Sequence, residues 1–267
     1  MNEHSTWKME VAGGSLHSFL DDGGLGIRTI RFGHPASNSL PGDLLRALAE
    51  WIEQAASDEQ TKVVVIASEG DRAFCAGASF DELVAVSNED EGLRFFSGFS
   101  AVINAMRKCP KLIIGRVQGK AVGGGVGIAS AVDYCLATDH ASVKLSELAV
   151  GIGPFVVGPA VERKIGTSAM SQLAIDATSW RSAQWACDKG LYAEVFSDAE
   201  ELDAAVAGLA SRLAQSSPEA MLELKRIFWT GTESWDQLLE DRARISGRLV
   251  LSTFTREAIA RFKAKMA

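Results

Sequence analysis

No apolar run in this chain reaches the roughly 20 residues that a membrane-spanning helix needs. The opening stretch Met1-Asn2-Glu3-His4-Ser5-Thr6 lacks the basic region and apolar core of a secretory signal, so a cytoplasmic protein with no membrane partner is expected. The four histidines, His4, His17, His34 and His140, are scattered, and none shows ligand spacing such as H-x-x-x-H. The four cysteines, Cys75, Cys109, Cys135 and Cys187, form neither a CxxC pair nor a zinc framework. They are expected to be reduced packing residues, and no metal is implied. A G-x-S-x-G elbow and a Walker lysine motif are missing too, which leaves hydrolysis through a covalent intermediate without support. Excess positive charge is also lacking: 27 Lys and Arg stand against 34 Asp and Glu, a net charge of -7. Broad binding to nucleic acid or an anionic membrane is therefore not expected, although a local basic patch for a phosphorylated ligand is compatible with that balance.

What remains is an ordinary globular composition, 267 residues with 47% hydrophobic and 23% charged, enough for one large domain or a core with an appendage. Trp7 to Val11, Ser15 to Leu20 and Leu25 to Phe32 read as strands of a meander broken by glycine turns. Leu44, Leu45, Leu48, Trp51, Ile52 and Ala55 then recur at helical spacing. The β-branched run Val63-Val64-Val65-Ile66 predicts a buried strand, Gly92 to Arg107 a helix, Leu112-Ile113-Ile114 a second buried strand and Tyr134 to Thr138 a third. Ser87-Asn88-Glu89-Asp90-Glu91-Gly92 reads as a polar loop. Successive strand, glycine loop and helix units predict an α/β stack over residues 1–197. Residues 198–267 read as a helical region, with helices over Leu202–Leu213, Pro218–Trp229, Trp235–Leu249 and Phe254–Met266. Its apolar residues, among them Leu222, Leu224, Ile227, Phe228, Leu238, Leu239, Leu249 and Phe262, exceed the needs of a small bundle and predict self-association.

Two glycine-centred segments carry the chemistry. Phe74-Cys75-Ala76-Gly77-Ala78 and Gly123-Gly124-Gly125 each follow a β-like run and precede a helical one, so each can aim free backbone N–H groups at one point. Two such donors on one carbonyl oxygen form an oxyanion hole for a thioester or ester. Ser79-Phe80-Asp81-Glu82 has the S-x-x-E form of a capping box, which predicts a helix start at Ser79. Glu147 is a carboxylate among Val143, Leu145, Leu148, Val150 and Ile152, and such an apolar wall raises a carboxyl pKa into the range suited to moving protons. Gly125-Val126-Gly127-Ile128-Ala129-Ser130 also approaches G-x-G-x-x-G, with Glu147 20 positions after Gly127, so a nucleotide-binding or non-catalytic protein is the alternative.

The chain resembles the enoyl-CoA hydratase/isomerase, or crotonase, superfamily over nearly its whole length. The resemblance lies in Asn38-Ser39-Leu40, Ala73-Phe74-Cys75-Ala76-Gly77-Ala78, Gly119-Lys120-Ala121-Val122-Gly123-Gly124-Gly125, Asp133 and Ser146-Glu147-Leu148-Ala149-Val150-Gly151, in order and spacing as well as residue type. It implies a spiral of β-β-α turns and a C-terminal helical region that builds homotrimers, commonly paired into hexamers. It also implies an acyl-CoA thioester substrate and no separate cofactor. By resemblance, the N–H groups of Ala78 and Gly124 bind the thioester oxygen and Glu147 transfers the proton. Ser37, Asn38, Leu40, Ala76, Gly123 and Phe155 are expected to line the CoA and substrate path, and Phe262 and Lys265 to approach its nucleotide end. One departure concerns the acids: hydratases of the family usually carry two glutamates, and the first of these positions is Gly127 here. A single acid fits isomerisation of a 3-enoyl thioester better than addition of water.

Overall fold

The computed structural model describes residues 6–266, with side chains through residue 261. The side chains of Phe262 and Lys265 therefore lie outside the described residues. The chain opens with the antiparallel meander β1 (Thr6–Val11), β2 (Gly14–Leu20) and β3 (Ile27–Gly33), then the helix α1 (Gly42–Ser57). Three turns of similar plan follow. The first runs through β4 (Val63–Ser68), β5 (Ala73–Cys75), α2 (Phe80–Ala85) and α3 (Glu89–Lys108). The second has β6 (Ile113–Val117), β7 (Lys120–Val122) and α4 (Gly124–Ala131). The third has β8 (Tyr134–Thr138), β9 (Val143–Lys144), a 3-10 turn (Glu147–Val150) and α5 (Gly158–Ile175). After α6 (Ala183–Asp188) and β10 (Glu194–Phe196) come α7 (Ala199–Ala214), α8 (Pro218–Phe228), α9 (Trp235–Leu249) and α10 (Thr253–Met266).

The first strand of each turn joins a seven-stranded sheet in the order β1-β2-β3-β4-β6-β8-β10, parallel from β3 onward. The second joins a small parallel sheet, β5-β7-β9. Each turn thus advances both sheets by one strand, which makes the spiral of β-β-α turns. Alternation along β4 explains why its residues are buried throughout: Val64 and Ile66 enter the main core, while Val63 and Val65 face a second cluster with Leu202, Val206 and Ala210 of α7. A strand covered on both faces needs no polar alternation.

The helices after residue 198 do not form one bundle. α7 covers the large sheet, and Trp235, Leu239 and Ala243 of α9 enter the main core. Part of the apolar excess in this region is consumed there, while Leu224, Ile227 and Phe228 on α8 stay exposed. α8 is pinned by a buried cluster. Lys225 Nζ donates to Asp133 Oδ2 at 2.6 Å, Trp229 Nε1 to Oδ1 at 3.0 Å, and the Ile113 N–H to Oδ2 at 2.8 Å.

The expected polar loop over Ser87–Gly92 is corrected from Glu89 onward, because α3 starts there. Asn88 caps it by accepting from the Glu91 N–H at 3.0 Å. The acidic run Glu89-Asp90-Glu91 that reads as loop is the first turn of a helix, where carboxylates meet the positive end of the backbone dipole. Among the described residues, no helix is long and apolar enough to cross a membrane.

Candidate active site

The first glycine segment is held against the loop that precedes α1. The Ala76 N–H donates to Ser37 O (3.1 Å), the Leu40 N–H to Gly77 O (2.8 Å) and the Ser79 N–H to Leu40 O (3.3 Å). Ser37 and Asn38 both take left-handed backbone, φ 56° each, uncommon for residues with a side chain. Asn38 holds that conformation. Its Oδ1 accepts from the His34 N–H at 2.9 Å, and its Nδ2 donates to Glu69 O at 2.7 Å and Ala73 O at 2.9 Å. Its amide is thus bound into the protein, bracing the start of β5. Cys75 adds a local brace, its Sγ accepting from the Gly77 N–H at 3.4 Å. Burial pushes its thiol up to about 12, so it stays protonated and inert.

Gly77 has φ 94°, and a Cβ there would stand 3.6 Å from Gly124 N, so the two glycine segments meet. Among the described residues, neither the Ala78 N–H nor the Gly124 N–H has a hydrogen-bond partner. Gly124 opens α4, whose first-turn donors face outward from the helix end. Its missing side chain is required: a Cβ would collide at 2.1 Å with the ring of Phe99, on α3. Ser79 caps α2 by accepting from the Glu82 N–H at 3.4 Å, as the S-x-x-E spacing predicts. The reciprocal half of the box is absent, because Glu82 Oε2 instead accepts from the Gly42 N–H at 2.9 Å.

Glu147 opens the 3-10 turn beside the second segment. A Cβ on Gly123, at φ 52°, would stand 2.9 Å from Glu147 Oε1, so glycine here lets the carboxylate approach the backbone. Oε2 is sealed from solvent and has no hydrogen-bond partner. Burial pushes the carboxyl up to about 7, opposed only by its own backbone N–H. An unpartnered buried carboxylate oxygen is costly, and native structures keep such groups mainly where chemistry needs them.

The position 20 residues earlier is closed. A Cβ on Gly127 would lie 2.5 Å from Val157 Cγ1, so the side chain of Val157 occupies the space in which a second carboxylate would stand. Gly125 and Gly127 both lie inside α4, buried, with the missing Cβ of Gly125 pointing at Cys75 O, 2.5 Å away. The two glycines of the G-x-G-x-x-G-like run therefore serve close helix packing inside α4.

The structure brings Ala76, Ala78, Gly123, Gly124 and Glu147 together. Phe155 lies just beyond, folded back so that its ring covers Gly153. Ser37 and Asn38 also border an open cleft of ≈ 970 Å³, whose rim carries Arg72 and Lys120 beside the acids Glu69 and Asp71. Glu147 is not among the residues that line that cleft. Phe99 and Val157 belong to the site but carry no signal of it in the sequence, where each is one apolar residue among many.

The family model for enoyl-CoA hydratase/isomerase matches residues 22–266. The chain is 28% identical over 242 residues to "Probable enoyl-CoA hydratase" of Bacillus subtilis, covering 90% of this chain and 93% of that one. It is 30% identical to carnitinyl-CoA dehydratase of Escherichia coli K12, with 78% of each covered. It is 32% identical to human mitochondrial methylglutaconyl-CoA hydratase, covering 73% of this chain and 58% of that one. Among solved structures, an enoyl-CoA hydratase from Mycobacterium avium subsp. paratuberculosis superimposes with a TM-score of 0.81 at 27% identity, covering 96% of this chain and 97% of that one.

Proposed function

Because the chain belongs to the enoyl-CoA hydratase/isomerase family, we propose that it is an acyl-CoA enzyme in which Glu147 alone moves the proton, and that it isomerises 3-enoyl to 2-enoyl thioesters. The thioester oxygen lies between the Ala78 and Gly124 N–H groups. Glu147 takes a proton from C2, the freed electron pair forms a C1=C2 bond, and the displaced carbonyl pair collects as charge on the thioester oxygen, where the two amides stabilise the dienolate. The carbonyl then reforms, the C1=C2 pair moves to C2=C3, and the C3=C4 pair takes the proton back from Glu147 at C4. The carboxyl ends as it began, so the step consumes no redox equivalent and no water. A base with a pKa near 7 is matched to this task, because it is largely ionised at neutral pH yet holds a proton long enough to return it.

The observation that carries this reading is Val157 standing against Gly127. Addition of water is normally served by two acids, and the second has no room. Hydration is the second reading, favoured by the name of the Bacillus subtilis relative. CoA itself fits the cleft beside Ser37 and Asn38, with Arg72 and Lys120 as cations for its phosphates. The exposed Leu224, Ile227 and Phe228 on α8 suit self-association into a trimer or a dimer of trimers.

The test is product mass after incubation with 2-enoyl- and 3-enoyl-CoA panels in deuterated water, with the Glu147→Gln variant alongside. An unhydrated 2-enoyl product that depends on Glu147 supports the isomerase. A product heavier by one water from 2-enoyl substrates refutes it in favour of the hydratase.

A further inference from the structure

The Ala78 N–H stands where β5 puts it, and β5 pairs irregularly. Ala73 lies opposite Lys120 and Cys75 opposite Ala121 of β7, so β5 advances two residues where β7 advances one. Phe74 is the extra residue of this bulge. Three residues of bulged strand carry little register of their own, so something outside the ladder must pin them.

Two buried side-chain amides do so, and both end on the same atom. Asn38 Nδ2 donates to Ala73 O at 2.9 Å, and Gln118 Nε2 donates to that oxygen at 3.2 Å. Asn38 reaches it from the loop before α1, and Gln118 from the turn between β6 and β7. The second approach depends on Gly119, where a Cβ would stand 2.6 Å from Arg72 O and 3.2 Å from Ala73 N. A carbonyl oxygen has two lone pairs, one for each donor.

Neither amide has a donor left for a ligand. Asn38 gives its other Nδ2 proton to Glu69 O, closing the loop between β4 and β5, and Gln118 gives its other Nε2 proton to Ser68 Oγ at 2.8 Å. Their acceptors are engaged as well, Asn38 Oδ1 by the His34 N–H and Gln118 Oε1 by Arg116 Nη1 at 3.1 Å. Both residues are buried, where an unmade hydrogen bond is most costly. Ser37 and Leu40, on either side of Asn38, hold Ala76 and Gly77 through the backbone, so the same loop grips the segment before and after the bulge.

Resting on the acyl-CoA reading above, we infer that Asn38 and Gln118 are positioning residues: by closing on Ala73 O they fix β5 at its bulge and so set the Ala78 N–H at the thioester oxygen. A displacement of about 1 Å at such a donor can cost about a hundredfold in rate.

The test uses Gln118→Met, which keeps the length of the side chain and removes the donor, and Asn38→Asp, which keeps the acceptor for the His34 N–H and loses both donors. Infrared spectra of butyryl-CoA, isotope-labelled at the thioester carbonyl and bound to the full-length protein, read the polarisation of the C=O directly. In the wild type the stretch should move to lower frequency than in free butyryl-CoA, and in each folded variant most of that displacement should be lost. With a 3-enoyl-CoA, kcat should fall about tenfold to a hundredfold while KM stays within about threefold. A displacement that both variants keep overturns the assignment and leaves the acyl-CoA reading standing. Failure of both variants to fold would make the amides structural groups only and also overturn it. Butyryl-CoA that binds the wild type with its carbonyl unmoved, or does not bind, overturns the oxyanion reading and the assignment together.

Discussion

Replacing Glu147 with Gln should abolish turnover and remove the loss of stability that the wild-type chain suffers as pH rises. The carboxyl titrates at about 7 in the folded chain against an ordinary 4.5, and burial is the cause. A carboxyl whose pKa is raised by folding holds its proton more tightly when folded. Stability is therefore unaffected below about 4.5 and falls as pH rises through the window between the two values. The full cost, reached above 7, is roughly 3 kcal/mol at 1.36 kcal/mol per pKa unit. Between pH 5 and pH 8 the change is roughly 2–3 kcal/mol, since part of the cost is already present at pH 5 and the upper transition is nearly complete at pH 8.

Glutamine does not titrate, so the variant lacks this slope. Its amide meets the same unpartnered pocket and carries its own desolvation cost, but that cost is independent of pH and cancels when the comparison is made between two pH values. Urea denaturation of wild type and variant at pH 5 and pH 8 gives four stabilities. The variant should gain roughly 2–3 kcal/mol on wild type between the lower and the higher pH. A gain below about 0.5 kcal/mol would mean that the carboxyl titrates as if hydrated, and the claim that Glu147 is a desolvated base would fall.

The same ionisation sets the rate. kcat/KM should rise about tenfold per pH unit below 7 and level off above it, read from initial rates on a 3-enoyl-CoA, and a flat profile from pH 5 to 8 would exclude Glu147 as the free-enzyme base. Gly124→Ala must displace the Phe99 ring that stands 2.1 Å from the new Cβ, so it should lower kcat by at least tenfold, about 1.4 kcal/mol, while CoA still binds by calorimetry. Gly127→Ala overpacks against Val157 and should cost about 1–3 kcal/mol in thermal or urea unfolding, with turnover impaired less than in Gly124→Ala. Lys225→Met leaves Asp133 buried without its cation and should cost about 3–5 kcal/mol, whereas the double change Lys225→Met with Asp133→Asn should recover much of that loss.

Long, strongly patterned elements could be read directly from the chain. The β4 and β8 runs, α1 and the four helices after residue 198 all carry enough residues for period and capping to agree with what packing needs. Glu147 could be read because a charge inside an apolar stretch is conspicuous in one dimension. The small sheet could not. Its strands β5, β7 and β9 have three, three and two residues, too few to show a period, and they exist because three successive turns of the spiral bring them side by side. The first turn of α3 was hidden by its own acids, which polarity alone assigns to a loop. Val157 opposite Gly127 and Lys225 opposite Asp133 are tertiary facts, since each pair is joined only when elements far apart in the chain dock.

Asp133 also sets the timing of assembly. Its carboxylate orders the edge where β6 begins, yet its cation, Lys225, lies 92 residues further along. At synthesis rates of about 5–20 residues per second, the nascent spiral waits roughly 5–20 s for that partner to be made. Sealing the Asp133 carboxylate before that partner exists would leave a buried charge without its cation, which is costly. The Asp133 cluster therefore closes only once α8 has been made, so α8 acts as the latch on a seam laid down well before it in the chain.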